Sequence, residues 1–253
     1  MTATKTTYDE LQTAYDFFNQ HLFNNELPAC LITLQREKRT LGYFSWNRFT
    51  NSNGEQIDEL AMNPSYFGIR TIAETLSTLV HEQVHNWQFH FGKPSRNGYH
   101  NKEWAEKMEM VGLMPSNTGQ INGNKTGQQM THYIIKGGAF EKACKKLISK
   151  KFQISWYDRF PPVPQEVVIE KLEKLKLESI SMDEDNEIDD NDSLPNTSAI
   201  NIELLNFSPE EVNKSNRDKY KCPICGNQVW GKPNMKLKCG EDLCNDVELE
   251  NCY

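Results

Sequence analysis

The sequence predicts an α+β fold, and three observations support this. Apolar residues recur at helical intervals over residues 7–23 and again over 71–91. Between these segments lie three short runs rich in β-branched and aromatic residues, which are typical of strands. A helix, a short sheet and a second helix follow one another instead of alternating as β-α units. We therefore expect a small antiparallel sheet packed against helices.

The first helix and the sheet have recognisable boundaries. Thr7 and Glu10 have the spacing of a capping box, which predicts the start of the helix. Asn24 and Asn25 predict a turn, and Pro28 prevents the helix from continuing. The predicted strands are residues 29–34, 41–49 and 57–62, with a turn at 51–54.

Residues 71–91, TIAETLSTLVHEQVHNWQFHF, carry the strongest helix signal in the chain. Thr71 and Glu74 again have capping-box spacing, and Gly92 provides a stop signal. One face of this helix is apolar, so we expect that face to pack against the core. The apolar positions are Ile72, Leu76, Val80, Val84, Trp87 and Phe91.

Two histidines on this helix predict a metal site. His81 and His85 lie four positions apart, so their imidazoles project from the same side, one turn apart. Together with Glu82 they form the pattern H-E-x-x-H. Two neutral histidines at this spacing can hold one Zn²⁺, and the carboxylate between them can reach a water molecule at the metal's open position. The pattern therefore predicts a catalytic zinc site that hydrolyses peptide bonds, with Glu82 as the general base.

A catalytic zinc site needs a third protein ligand. The residues alone leave two sources open: His100, or a carboxylate of the following predicted helix, Glu103 or Glu106. We favour His100 because a histidine at a junction between loop and helix can swing toward the ion. The long metzincin pattern is excluded, since Gln88 and Phe91 stand where it requires glycine and histidine.

Further elements are predicted downstream of this site. Residues 139–148 are expected to form an amphipathic helix, and residues 152–156 a closing strand. His132 lies in another predicted strand. Either it or Tyr133 could stabilise an oxyanion, although a local hydrogen bond within the strand is the simpler interpretation. A cluster of prolines then marks the end of this domain, which we place at residues 1–160.

The charge distribution separates the two ends of the chain. The 253 residues carry a net charge of −7, but seven acidic residues and no basic one lie between positions 183 and 192. The remainder therefore sums to zero, which does not indicate a strongly basic nucleic-acid-binding body. Residues 161–217 are predicted to be a charged, largely disordered linker.

The cellular location is predicted from what the sequence lacks. The N-terminal residues MTATKTTYDE do not contain the apolar segment of a secretory signal. No run of about 18 apolar residues, the length of a membrane-spanning helix, is present either. We therefore expect a cytoplasmic protein without a membrane partner.

Four cysteines near the C-terminus predict a second metal site. Cys222 and Cys225 are separated by two residues, a spacing that lets two thiolates share one ion. Cys239 and Cys244 complete a tetrahedral set after an interval of thirteen residues, which is typical of a zinc ribbon. Cys252 is an alternative to Cys244.

The predicted ribbon, residues 218–253, is too short to fold on hydrophobic burial alone, so structural zinc would supply most of its stability. Trp230 lies between the two cysteine pairs together with Lys232, Lys236 and Lys238. An aromatic ring among lysines can bind nucleic acid. A purely structural ribbon and one that binds DNA or a partner are equally compatible with this pattern.

Several landmarks occur in an order that resembles the SprT-like (Spartan-type) zinc metalloproteases. The resemblance covers roughly residues 7–160. The ordered set is much more specific than H-E-x-x-H alone. The landmarks are FNQHLFNNELP at 18–28, LGYF at 41–44, HEQVH at 81–85, and His100 followed by a helix that contains tryptophan.

This resemblance implies a compact zincin-like metalloprotease domain, often followed by a zinc ribbon. It implies that His81, His85 and His100 hold the catalytic zinc and that Glu82 is the catalytic residue. It further implies protein substrates that are bound or crosslinked to DNA. In the family the third histidine usually follows glycine directly, whereas Tyr99 intervenes here.

Two functions therefore compete at the level of sequence. The first is a zinc-dependent endopeptidase with one catalytic and one structural zinc ion. The second is a non-catalytic, metal-stabilised regulatory protein that binds DNA or another partner. The presence of Glu82 favours the first, because a purely structural metal site has no need of that carboxylate.

Overall fold

The computed structural model describes residues 2–180, 202–207 and 217–252. They belong to two compact units, Met1–Phe207 and Ser208–Tyr253. Among the described residues, no helix combines the length and the apolar character that crossing a bilayer requires.

The first unit is α+β, as the sequence predicts. Its helices are α1 (Ala3–Leu22), α2 (Ile72–Phe91), α3 (Lys102–Met110), α4 (Ala139–Ser149) and α5 (Gln165–Ile180). Its strands are β1 (Cys30–Leu34), β2 (Gly42–Thr50), β3 (Gln56–Met62), β4 (Leu113–Ser116) and β5 (Thr131–Ile134).

The main sheet has three strands in the order β1-β3-β2. β2 pairs with β3 in antiparallel fashion, whereas β1 pairs with β3 in parallel, so the sheet is mixed and not wholly antiparallel. The reason is that the chain passes from β1 to the opposite edge before it returns to the centre as β3. The register between β2 and β3 slips between Ser45 and Phe49. Asn47, with φ of 45°, lies at this irregularity.

Helix α2 is the central element of the first unit, since it contacts α1, α3, α4, β2 and β3. Its predicted capping box is present. The Thr71 hydroxyl accepts from the Glu74 N–H at 3.1 Å, and the Glu74 carboxylate accepts from the Thr71 N–H at 2.8 Å. Leu79 and Val84 are completely buried. Phe91, also assigned to the apolar face, is 53% exposed because it lies in the last turn.

Two predictions at the edges of this unit are wrong. Helix α1 begins at Ala3, and the Thr7 hydroxyl donates to the Ala3 carbonyl at 3.0 Å instead of capping the helix. Glu10 instead accepts hydrogen bonds from the backbone N–H and the hydroxyl of Ser155. Residues 152–156 therefore form no strand, because side-chain contacts to α1 replace a ladder of backbone hydrogen bonds.

Helix α5 packs against the start of α2. Val168 is buried in a small cluster with Ile69 and Leu205. The Lys171 ammonium lies 2.7 Å from the Glu74 carboxylate, the same group that closes the capping box. The first unit therefore continues beyond the proline cluster at which we expected it to end.

The prediction of a linker at residues 161–217 can be compared with the structure only in part, because not all of these residues are described. The described portions, α5 and residues 202–207, belong to the first unit. Residues 181–201 and 208–216, which include the acidic block, lie outside the described residues. Disorder in the linker stays a prediction.

The second unit contains a small antiparallel sheet in the order β7-β6-β8. Its buried cluster consists mainly of cysteines: Cys222, Cys239 and Cys244, with Val247 and Leu249 packed beside them. The strands are β6 (Asp218–Lys221), β7 (Gln228–Gly231) and β8 (Glu250–Asn251).

Candidate metal centre

Three imidazoles converge on one side of α2. His81 and His85 lie one turn apart with ring centroids separated by 5.1 Å, and the loop before α3 brings His100 to them. One nitrogen from each ring lies within 4.8 Å of the others. Nε2 of His85 is 3.1 Å from Nε2 of His100. Two nitrogen ligands of a tetrahedral zinc ion are about 3.3 Å apart, so this separation fits a shared ion.

The backbone around His100 is pinned by Gly127. The His100 N–H donates to the Gly127 carbonyl at 2.9 Å, and the Gly127 N–H donates to the His100 carbonyl at 3.1 Å. Nδ1 of the His100 ring lies 3.1 Å from the same Gly127 carbonyl. Since a carbonyl oxygen only accepts, Nδ1 carries the proton, and the lone pair of Nε2 is left for a metal.

Asn101 holds the loop that carries His100. Its side-chain oxygen caps α3 by accepting from the Trp104 N–H at 3.0 Å. The same oxygen accepts from the Gln88 amide of α2 at 2.7 Å, and the Asn101 amide donates to the Lys93 carbonyl at 2.9 Å. One side chain therefore ties the loop, α3 and α2 together.

Trp104 is packed against all three imidazoles. Its ring centroid lies 5.0 Å from that of His81, 5.4 Å from that of His85 and 4.4 Å from that of His100. The Trp104 side chain is completely buried. This rigid aromatic surface restricts the rotation of the three imidazoles. The sequence shows that the following helix contains a tryptophan, but it does not show that the tryptophan contacts the histidines.

Burial keeps the three imidazoles neutral. It lowers the pKa of His81 well below its ordinary value, and the neighbouring histidines lower it further. Burial, followed by the proximity of His100, lowers the pKa of His85 to about 3. The pKa of His100 is lowered for the same primary reason. All three rings can therefore offer lone pairs at neutral pH, which is the form that binds a metal.

Glu82 lies beside these rings without a partner of its own. Its side chain is buried, and within the described part of the chain its carboxylate has no hydrogen bond or ion pair. Burial raises the pKa of the Glu82 carboxyl to about 8. A buried carboxyl without a partner reduces stability, so its presence calls for a functional reason.

The histidines and Glu82 open into a cleft of about 920 Å³. One wall is formed by β2, where Trp46 is exposed and stacks on Phe89 of α2 with centroids 5.1 Å apart. The cleft is therefore large enough for several residues of an extended peptide.

Comparison with known proteins gives the family. The SprT-like family model matches residues 11–127, which include the three histidines and Glu82. The chain belongs to the SprT-like family. A stretch of 58 residues, 22% of this chain, is 66% identical to a protein of Salmonella typhimurium described as an uncharacterized protein in the mucB 3′ region, and it covers 78% of that protein. No solved structure matches the chain with significance.

Membership of the SprT-like family is consistent with a metalloprotease-like domain. The family match ends before the second unit, so only the geometry of the cysteine cluster supports its interpretation as a metal site. The imidazole and thiolate groups of this SprT-like protein could each bind a metal ion.

The alternative carboxylate ligands lie in other contacts. Glu103 accepts from the Gln88 amide at 2.9 Å and from the Lys93 N–H at 2.7 Å. Glu106 is exposed and lies 3.4 Å from the Lys102 ammonium. Neither belongs to the group of converging ligand atoms, so the geometry favours His100 as the third ligand.

We expect the wild-type chain to bind one zinc ion at the histidines and one at the cysteines. We expect His100→Ala to lose the first, because two imidazoles alone hold zinc weakly. The measurement is metal content after dialysis of the full chain. Glu103→Gln should retain both ions and serves as the matched control. A full metal complement in His100→Ala would instead favour a carboxylate ligand.

The remaining histidines serve other contacts. His90 Nε2 lies 2.6 Å from Oδ2 of Asp58, and the other oxygen of that carboxylate, Oδ1, accepts from the Asn47 N–H at 2.7 Å, at the irregularity in β2. His21 stacks on Phe17 with centroids 4.1 Å apart. His132 lies next to His81, and both of its ring nitrogens have partners, so it is not a free donor for an oxyanion.

In the second unit, the four cysteine sulfurs converge on one point. One sulfur from each of Cys222, Cys225, Cys239 and Cys244 lies within 4.8 Å of the others. The Cys222 to Cys244 distance is 3.7 Å and the Cys225 to Cys239 distance is 3.6 Å. Sulfurs sharing one tetrahedral zinc ion are about 3.8 Å apart, so these separations fit a metal site and are too long for disulfides.

The turns of this cluster are also suited to metal binding. The Cys225 N–H points to the Cys222 sulfur at 3.5 Å, and Gly226 follows with φ of 77°, which favours glycine. Cys252 is exposed and does not belong to the cluster. The geometry therefore favours Cys244 over Cys252.

Proposed function

We propose that this protein is a zinc-dependent endopeptidase. The observation that carries the proposal is the position of Glu82, an unpartnered buried carboxyl that lines an open cleft beside three converging imidazoles. A metal site with only a structural role would not need this group.

The donor set suits zinc. Three neutral imidazoles and no fourth His, Cys, Asp or Glu ligand among the described residues match the composition of a catalytic site with one open position. The His100 ring is oriented by the Gly127 carbonyl, as ligands of catalytic metals usually are. The four thiols of the second unit match the composition of a structural zinc site.

The proposed mechanism assigns proton transfer to Glu82. When bound, Zn²⁺ would polarise the scissile carbonyl, acidify the attacking water and favour the ionised carboxylate. Glu82 accepts one proton from the water as its oxygen attacks the carbonyl carbon. It then delivers this proton to the leaving amine as the C–N bond breaks. The neutral imidazoles remain fixed against Trp104 throughout.

The cleft supports a polypeptide substrate. Strand β2 lines the cleft and is an edge strand of the three-stranded sheet. Among the described residues no further strand pairs with its outer edge, which could therefore pair with an extended substrate chain. Pairing through the backbone is tolerant of sequence, which suits the hydrolysis of varied proteins.

The second unit supports an association with DNA. Trp230 is 55% exposed, and the Lys219 ammonium on the neighbouring strand lies 5.8 Å from the centre of its ring. An exposed aromatic ring beside a cation can stack on a base and neutralise a phosphate. We therefore include proteins bound or crosslinked to DNA among the proposed substrates.

The proposal is tested by incubating the zinc-loaded full chain with an unfolded protein, such as reduced and alkylated lactalbumin. Cleavage is followed by mass spectrometry, with and without single-stranded DNA. We expect zinc-dependent internal cleavage that a chelator abolishes. An intact substrate under all conditions would contradict the proposal and favour the non-catalytic, metal-stabilised regulatory protein.

A further inference from the structure

His132 lies beside His81 and lines the same cleft, but it is outside the three-histidine group. It is carried by β5, where it pairs with Pro115 of β4. Its Nδ1 lies 3.1 Å from Nδ1 of His81, and the two ring centroids are 5.2 Å apart. Its other nitrogen, Nε2, lies 2.9 Å from the Ser77 hydroxyl. His132 therefore contacts a candidate ligand without being one.

The protons of this chain of contacts can be assigned in order. The Ser77 hydroxyl donates its only hydrogen to the Glu74 carbonyl at 2.8 Å, one turn earlier in α2. It must therefore accept from Nε2 of His132, which places the proton of that ring on Nε2. A neutral imidazole carries one ring proton, so with that proton on Nε2 the Nδ1 of His132 is an acceptor.

Because Nδ1 of His132 is an acceptor, it determines which ring nitrogen of His81 carries the proton. Two facing nitrogens can form a hydrogen bond only if one carries a proton, so Nδ1 of His81 is the donor. The lone pair of His81 then lies on Nε2, as it does in His100 through the Gly127 carbonyl. His81 and His100, which come from different parts of the chain, are thus both protonated at Nδ1 and have their lone pair on Nε2.

We propose that His132 is a positioning residue, which fixes the tautomer and the ring orientation of His81 for metal binding. The inference rests on the proposed metal site. Partners of this kind stabilise a metal by orienting its ligand, and their loss typically reduces metal affinity about 10- to 100-fold.

The test uses two substitutions in the full chain. His132→Leu removes the acceptor and should lower zinc affinity at the histidine site about 10- to 100-fold. His132→Asn places an amide oxygen near the position of Nδ1, so it should recover most of this loss. Affinity is measured by competition with a chromogenic chelator, and zinc at the four cysteines provides an internal reference in every sample.

The matched control is His21→Leu, which removes an imidazole stacked on Phe17 in α1 and should leave zinc affinity unchanged. Thermal unfolding of the metal-free variants verifies that each one is folded. The cobalt-substituted forms of wild type and His132→Leu should have similar absorption intensities, because the number of ligands does not change.

Three results would overturn this inference. Equal zinc affinity in wild type and His132→Leu would show that the contact to His81 does not matter. Equal losses in the Leu and Asn variants would show that an acceptor is not what the site requires. A changed cobalt coordination number in His132→Leu would make His132 a ligand. By contrast, a wild-type chain that holds zinc only at its cysteines would overturn the proposed function as well.

Discussion

Glu82→Gln is expected to retain both zinc ions and to cleave protein at least about 100-fold more slowly than the wild type. This factor is the lower end of what general acid–base catalysis contributes. The amide has nearly the same size as the carboxylate, so the packing around His81 should be preserved. It cannot accept a proton from water, and it cannot deliver one to the leaving amine. The measurement is the initial rate of cleavage of the unfolded substrate at saturating zinc.

The control for this variant is Glu109→Gln. Glu109 is carried by α3 and lies 2.8 Å from the Lys125 ammonium, so the same chemical change occurs outside the cleft. It should retain the wild-type rate. Cleavage by Glu82→Gln at the wild-type rate would remove Glu82 from the mechanism, whatever the metal content.

Cys222→Ser is expected to lose one zinc ion per chain and to unfold the second unit. The described core of this unit consists of three cysteines with Val247 and Leu249 beside them, too little apolar burial for independent stability. Structural zinc supplies about 10 kcal/mol or more of folding free energy in domains of this size. Hydrogen exchange over residues 217–252 should therefore become fast, which mass spectrometry can measure.

The stability and the metal content of the first unit should not change in Cys222→Ser. Its thermal transition and its histidine-bound zinc should match those of the wild type, because it has its own hydrophobic core. Cys252→Ser provides the matched control, since that thiol is exposed and outside the cluster. Loss of zinc from Cys252→Ser would show that Cys252 is a ligand, contrary to the geometry.

The elements with local signals were predictable from the sequence. Thr71 and Glu74 form the capping box that their spacing predicts, because this motif depends on contacts within one turn. The same spacing failed at Thr7 and Glu10. There the helix had already begun, and Ser155, which is remote in sequence, takes the Glu10 carboxylate. A capping box is thus informative only where the preceding residues cannot be helical.

The supporting residues of the metal centre were not predictable in the same way. His81 and His85 share one helix, so their spacing alone places them together. Trp104 and His132 reach the same centre from α3 and β5, and their contacts depend on tertiary packing that no local pattern records. For the same reason the sequence could not distinguish His100 from Glu103 as the third ligand. In the folded chain, Asn101 and Gly127 hold the loop that brings His100 to the other two imidazoles, which favours His100.

The docking of α5 affects where the first unit can be cut from the rest of the chain. A protein shortened to residue 160 would have bare apolar surface at Ile69, and the carboxylate of Glu74 would lose its ammonium neighbour. The first change falls just before α2 and the second in its first turn, so both affect the start of the helix that carries His81 and His85. A fragment of the first unit that is to behave like the full chain should therefore extend to residue 207, even though His132 is the last residue of that unit with a proposed role at the metal site.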